Sequence, residues 1–275
     1  MPKKKDSTPA KLKPYLFHRL ELEWSDGEKE ARGDCPFCSR EGKFSVDQQK
    51  GLYRCLVCGS QGNHYTFLQE LWKISFGATK EYISLAEKRD LLFPETLVHW
   101  EVVKSVINGD WMVPGYNAKG KINQLYRYVK TQGKYRLLAT PTLTHAIHGV
   151  YNEKCSQVYL CEGPWDAIML WETMNAANAL EDVCVLATPG CNVFNDSWLP
   201  LFEDKAVTIL FDNDYPKEKD GRTIQPAGYA GCKKIAQRLS GSKTPPDSIE
   251  FLQWGDGGYT RSLPEGCDVG EFLLS

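Results

Sequence analysis

Two pairs of cysteines set the tightest limit on how this chain can fold. In DCPFCSREGKFSVDQQKGLYRCLVCG, Cys35 and Cys38 form one Cys-x-x-Cys pair, Cys55 and Cys58 another, with sixteen residues between them. Each pair can offer two thiolates to one ion from a tight turn, and the intervening segment is long enough for a short β-hairpin, which is the arrangement of a zinc ribbon. Gly59 follows the second pair, where the chain must bend away. A closed four-thiolate site is structural rather than catalytic. The other cysteines, Cys155, Cys161, Cys184, Cys191, Cys232 and Cys267, lie singly and read as small buried residues. His64, just beyond the ribbon, reads as a surface residue. What such a ribbon would present is Arg40, Lys43, Lys50, Tyr53 and Arg54, a basic and aromatic set suited to a single strand with splayed bases.

The second half of the chain has a different grammar. QVYLCEG, DVCVLATPG, AVTILFDND and SIEFLQW are short apolar runs rich in Val, Ile and Leu, separated by helical stretches such as AIMLWETMNAANAL and AGYAGCKKIAQRL. Strand and helix in alternation predict a mostly parallel sheet covered on both faces. Before it, EYISLAEKRDLL and FPETLVHWEVV have apolar spacing for two connecting helices, and WMVPGYNAKGKINQLYRYV predicts two strands around an Asn-x-x-Gly turn. No apolar run reaches the roughly 20 residues of a membrane span, and the lysines of the N-terminus have no apolar core behind them, so the reading is a soluble chain with no membrane partner.

Carboxylates gather where the predicted strands end. Glu162 closes VYLC, and Gly163-Pro164 turn into the helix that carries Asp166; Asp212 and Asp214 close TILF; Asp268 and Glu271 follow in PEGCDVGEFLL. The carboxyl edge of an open parallel sheet is where ligands bind. Like charges crowded there are tolerable when a divalent cation compensates, and oxygen-only ligands suit magnesium or manganese. The net charge of −2 hides an asymmetry: residues 1–102 carry +1, residues 103–150 carry +6 and residues 151–275 carry −9. A basic middle beside an acidic C-terminal part suggests a phosphate-holding surface next to a cation site.

EGPWD followed by DND resembles the Toprim signature shared by DnaG-type primases, topoisomerases and some nucleases. CPFC through YRCLVCGSQGNHYTFLQEL resembles the primase zinc-binding domain, WMVPGYNAKGKINQLYRYV the N-terminal subdomain of the primase polymerase core, GKYRLL the lysine-tyrosine element before the Toprim unit, and LPEGCDVGEFL its closing acidic motif. The similarity spans roughly residues 33–275. It implies an α/β chain in which residues 1–32 form a basic and polar N-terminal segment, 33–75 a zinc ribbon, 76–153 linker helices and a basic mixed α+β subdomain, and 154–275 a Rossmann-like Toprim domain with a mostly parallel sheet. Three departures stand out. Gly270 replaces a usual second aspartate, leaving Asp268 alone or with Glu271 as third ligand, and His148 lies near a usual lysine. The loop YPKEKDGRTIQP is longer than in bacterial DnaG and closer to phage or mobile-element primases. No helicase domain or helicase-binding bundle is read in these residues.

The resemblance implies a nucleotidyltransferase joining nucleoside triphosphates on a single-stranded DNA template, with structural zinc and catalytic magnesium or manganese. A replicative helicase would be an optional partner, and the setting a reducing cytoplasm of a bacterial cell or phage-infected host. Asp212 and Asp214 would hold metal with Asp268 as an outer ligand; Glu162 would be a base or additional ligand, and Asp166 would hold its neighbours in place. Arg127, Lys134, Arg136, Lys121 and Arg54 would contact template or triphosphate. Two other readings use the same residues: a metal-dependent nuclease, and a non-enzymatic recombination mediator that pairs a four-cysteine zinc site with a Toprim fold.

Overall fold

The computed structural model describes residues 8–25 and 27–274. Residues 1–7, which carry the N-terminal lysines, and Asp26 lie outside the described residues. In chain order, helix α1 (Lys13–Phe17) precedes strands β1 (Glu30–Gly33), β2 (Phe44–Asp47), β3 (Tyr53–Cys55) and β4 (Gln61–Gly62), closed by α2 (His64–Ala78). Short helices α3 (Ile83–Lys88) and α4 (Glu95–His99) lead to β5 (Val103–Lys104), β6 (Trp111–Tyr116), β7 (Ile122–Thr131) and β8 (Lys134–Leu138). Then come β9 (Gln157–Cys161), α5 (Pro164–Ala176), β10 (Val183–Ala187), β11 (Ala206–Leu210), β12 (Lys217–Lys219), β13 (Arg222–Ile224), α6 (Ala227–Ser240), β14 (Ser248–Phe251) and α7 (Val269–Leu274). Contacts divide the chain into two compact units. One runs to Lys80 and adds 101–115 and 122–144; the other holds 81–100, 116–121 and 145 onward. The segment 76–153, read from sequence as linker helices and a basic subdomain, is shared between them.

In the first unit, β1 to β4 pair in sequence order as an antiparallel sheet. Its inner face stacks Phe44, Tyr53, Phe37, Phe67 and Tyr15, with ring centroids 4.8 to 6.4 Å apart. Helix α2 starts where Asn63 accepts from the N–H groups of Tyr65 and Thr66 while Thr66 accepts from Asn63 N–H, a reciprocal cap. Gly62 must be glycine, because a Cβ there would lie 2.0 Å from the Thr66 hydroxyl. The same helix packs on β7 of the second sheet, whose order is β5-β6-β7-β8. Tyr53, expected on the surface, is 2% exposed: the β3 register puts it opposite Val46 and Gly62 on the inner face, where its hydroxyl donates to Glu70 at 2.8 Å.

Both connecting helices are shorter than the sequence predicts. In FPETLVHWEVV the helix stops at His99, and Glu101 at φ +55° turns the chain so that the β-branched Val103 enters the sheet opposite Met112.

The second unit carries the predicted parallel sheet, in the order β10-β9-β11-β14. Alternate residues Val158, Leu160, Cys184, Leu186, Val207 and Ile209 share one buried cluster with Trp198, Phe202, Ile235 and Leu239, which places α6 over that face. Helix α5 packs on β9 and β10 and α7 on α5. A buried anchor ties α5 to the connector: Glu172 accepts from Leu92 N–H at 2.8 Å, Phe93 N–H at 3.0 Å and the Thr96 hydroxyl at 2.7 Å. No described helix is long and apolar enough to cross a membrane.

Candidate metal centres: the ribbon thiols and the acidic sheet edge

The four ribbon cysteines converge. All four sulfurs lie within 4.8 Å of one another, with Cys35 to Cys58 and Cys38 to Cys55 each at 3.8 Å. Thiolates about 2.3 Å from a tetrahedral zinc stand about 3.8 Å apart, so the spacing fits that ion. His64 is not among them. Gly59 at φ +78° makes the exit turn that the sequence requires. Arg40, Lys43, Lys50 and Arg54 are exposed on the ribbon. Arg54 is paired with Glu30 at 2.8 Å.

At the carboxyl edge of the parallel sheet, Glu162 and Asp212 follow the adjacent strands β9 and β11 directly, and the turn after each strand sets the remaining carboxylates. Asp166 Oδ2 accepts from Gly163 N–H at 2.8 Å, capping α5. Asp214 Oδ2 accepts from Gly228 N–H at 2.8 Å, at the first turn of α6. That turn comes close because residue 228 has no side chain: a Cβ would lie 2.6 Å from the Asp212 carbonyl oxygen and 3.4 Å from Glu162 Oε2. Asp268 Oδ1 accepts from Glu271 N–H at 2.7 Å and caps α7. Glu271 itself is exposed, whereas Asp268 is half-buried. At Gly270 a side chain would press on Met169, with a Cβ 3.0 Å from its Cγ, and a second carboxylate has little room.

Adjacent strand ends and the turns after them bring these groups to one edge, and their charges oppose one another there. Burial, then Glu162, Asp166, Asp268 and Asp214, push the Asp212 carboxyl up to about 10. Burial and the neighbouring Asp268 raise Asp166 well above the carboxylate range. Burial and Asp214 raise Glu162. Each keeps some accessible surface, as a binding site must, while the surrounding protein atoms still penalise the charge. Such a set holds either protons or a cation. Glu162 Oε2 is buried without a hydrogen-bond partner, an acceptor left for a ligand. Oxygen donors of this kind fit a hard divalent cation. Among the described residues only the four cysteines bring three or more ligand atoms within 4.8 Å, so the carboxylates form a looser, open set in which water would complete the shell.

Two residues with no site role assigned from sequence build this edge. Asn213, fully buried, donates to the carbonyls of Thr260 at 2.9 Å and Pro264 at 3.0 Å and accepts from Thr260 N–H at 2.9 Å. Its backbone bridges Cys267, next to Asp268, so it ties the end of β11 to the last acidic turn. Cys191, after β10, lies beside Glu162; burial and then Glu162 push its thiol up to about 12.

The predicted cations fare differently. Lys134 and Arg136 are exposed on β8, opposite Thr131 and Val129, and Lys121 is exposed at the β6–β7 turn. Arg127 is a correction. It is 7% exposed, its Nε donates to Asp110 Oδ2 at 2.9 Å, and its other nitrogens donate to Asp110 and the Phe17 carbonyl, so the guanidinium is a buried structural tie rather than an exposed contact. His18 beside it, fully buried and bonded to Thr140, is held down to about 3 by burial and then by Arg127. His148 is buried, and its backbone pairs with Ala187.

Residues 14–96 match the CHC2 zinc finger family, the zinc ribbon of DnaG. A DNA primase of Halalkalibacterium halodurans is 38% identical over 64 residues, 23% of this chain and 10% of that protein, so the matched stretch spans about a tenth of the curated relative. The DnaG catalytic core superposes with a TM-score of 0.53 at 14% identity, covering 76% of this chain and 75% of that one. The primase fragment of the bacteriophage T7 primase-helicase protein gives a TM-score of 0.49 at 15% identity over 88% and 93% of the two chains. The ribbon is therefore related by sequence, and 76% of the chain shares the fold of the DnaG catalytic core.

Proposed function

We infer that this chain, which joins a DnaG-type zinc ribbon to the fold of a DnaG catalytic core, is a DNA primase that makes short RNA primers on a single-stranded DNA template. The observation that carries this reading is that adjacent strand ends and the turns after them gather Glu162, Asp166, Asp212, Asp214 and Asp268 at one edge of the parallel sheet. In this reading Asp212, Asp214 and Glu162 hold magnesium or manganese, with Asp268 as an outer ligand. Bound there, the metal would lower the pKa of a 3′ hydroxyl and screen phosphate charge as pyrophosphate leaves. Asp166, held by Gly163 N–H and lying beside Asp268, keeps the outer carboxylate in place. Cys191 and the Asp212 backbone face Glu162 and favour its charged form. The exposed cations Arg54, Lys121, Lys134 and Arg136 offer contacts to template or triphosphate, and the ribbon presents Arg40, Lys43 and Lys50 to a single strand.

Incubating the chain with a labelled single-stranded template, magnesium and four ribonucleotides tests the proposal. New RNA that disappears in the Asp212→Asn/Asp214→Asn variant supports it. Shortened DNA would make the protein a nuclease, and DNA binding with neither product would make it a binding protein.

A further inference from the structure

The segment between Asp214 and α6 is a β-hairpin with two chemically different faces. Strands β12 and β13 pair Lys217 with Ile224, Glu218 with Thr223 and Lys219 with Arg222 around Asp220-Gly221, both at positive φ (51° and 70°). An Asp-Gly pair of this kind makes the two-residue turn whose twist matches that of the strands it joins. Side chains alternate across a strand, so Lys217, Lys219, Arg222 and Ile224 share one face. Glu218 and Thr223 occupy the other, joined by a 2.6 Å hydrogen bond. All six are exposed, and among the described residues no ion pair engages the three cations.

Two further observations give that face a meaning. Residues 151–275 carry ten basic and nineteen acidic groups, and three of the ten stand together here. The hairpin is also rooted in the acidic site. Asp214 at one foot bonds Gly228 beyond the other foot at 2.8 Å, and Tyr215 donates to the Leu263 carbonyl at 2.5 Å beneath the Arg261 guanidinium. Lys217 and Lys219 are about 7 Å apart along the strand, a repeat comparable with consecutive phosphates of an extended strand, and Arg222 widens the row.

We propose that the Lys217, Lys219, Arg222 and Ile224 face of this hairpin binds the phosphate backbone of the single-stranded DNA template beside the acidic site. The proposal rests on the primase reading and adds the surface that holds the strand there. Charges on an exposed hairpin can also serve only to stop its edges pairing with other strands, and that role predicts unchanged DNA affinity.

The test is fluorescence anisotropy of a labelled single-stranded oligodeoxynucleotide with the full chain across a salt series. It compares the wild type, a Lys217→Ser/Lys219→Ser/Arg222→Ser variant and a Glu218→Gln control, with Mg-ATP binding measured in parallel. Neutralising three phosphate contacts is expected to lower the slope of log affinity against log salt by about 2, at about 0.7 per phosphate, and to weaken binding at least tenfold at about 50 mM salt. Glu218→Gln should bind as the wild type does. Unchanged affinity and slope in the triple variant, while the wild type binds DNA and makes primers, would overturn the hairpin's role alone. Weakened Mg-ATP binding with intact DNA binding would also overturn it, in favour of triphosphate. A wild type that binds no single-stranded DNA would remove the primase reading and this inference together.

Discussion

Replacing Asp212 by asparagine isolates the electrostatic cost of the acidic edge. The Asp212 carboxyl is pushed from 3.8 up to about 10, first by burial and then by Glu162, Asp166 and Asp268. With no cation bound, the folded protein at pH 7 keeps a proton there that the unfolded chain releases. Holding it costs about 1.4 kcal/mol for each of the roughly three pH units between the ordinary carboxylate range and neutrality, about 4 kcal/mol at most. The proton is shared across a coupled cluster, so a single substitution recovers part of this, roughly 2–4 kcal/mol. For a unit of this size that is about 5–15 °C in Tm. A carboxyl whose folded pKa is raised contributes its full stability below pH about 4 and loses it progressively as pH rises toward 10. The gap between variant and wild type should therefore widen over that window. Thermal melts in magnesium-free buffer, without chelator so that the ribbon metal stays in place, measure it. Added Mn²⁺ should raise the wild-type Tm and leave Asp212→Asn nearly unmoved. Equal Tm values for both proteins from pH 5 to 9 would refute the crowding argument.

Three other outcomes follow from particular contacts. Cys55→Ser should lower zinc content, read by atomic absorption, from one ion per chain toward none and unfold the ribbon, because three thiolates cannot close the site. Glu172→Ala should cost about 3 kcal/mol in urea unfolding by stranding the N–H groups of Leu92 and Phe93, with Glu172→Gln losing less. Arg127→Ala should cost about 3 kcal/mol by leaving Asp110 and the Phe17 carbonyl without their donor, while DNA affinity well below the melting temperature stays unchanged; a stable variant with weakened DNA binding would contradict the buried-tie assignment.

Much of this architecture was legible because it follows from short-range rules. The four β-branched runs became the parallel sheet, and the two Cys-x-x-Cys pairs became a four-sulfur cluster, since alternation and turn spacing constrain local geometry directly. Glu162 and Asp212 could be placed because each directly follows an apolar run, and Asp166 and Asp214 because they come within a few residues after; Asp268 follows no apolar run and was placed only by the motif it resembles. Arg127 was misread because a basic residue on an amphipathic strand looks the same from sequence whether its partner is a phosphate or Asp110, seventeen residues away. Tyr53 was misread because one residue of register decides which face it takes. Asn213 and Cys191 carried no pattern at all: their roles depend on loops more than twenty residues distant. The hairpin at Lys217–Ile224 had a local signal, Asp-Gly between alternating residues, that loop length alone obscured.

The claim on which everything else depends is that the carboxylates at the sheet edge bind a divalent cation. Direct titration of the zinc-loaded protein with Mn²⁺, followed by the loss of the free-ion electron paramagnetic resonance signal, measures this without any assay of activity. Saturable uptake by the wild type that is abolished in Asp212→Asn/Asp214→Asn is the predicted result. Identical uptake by both proteins, or none by either, would contradict it.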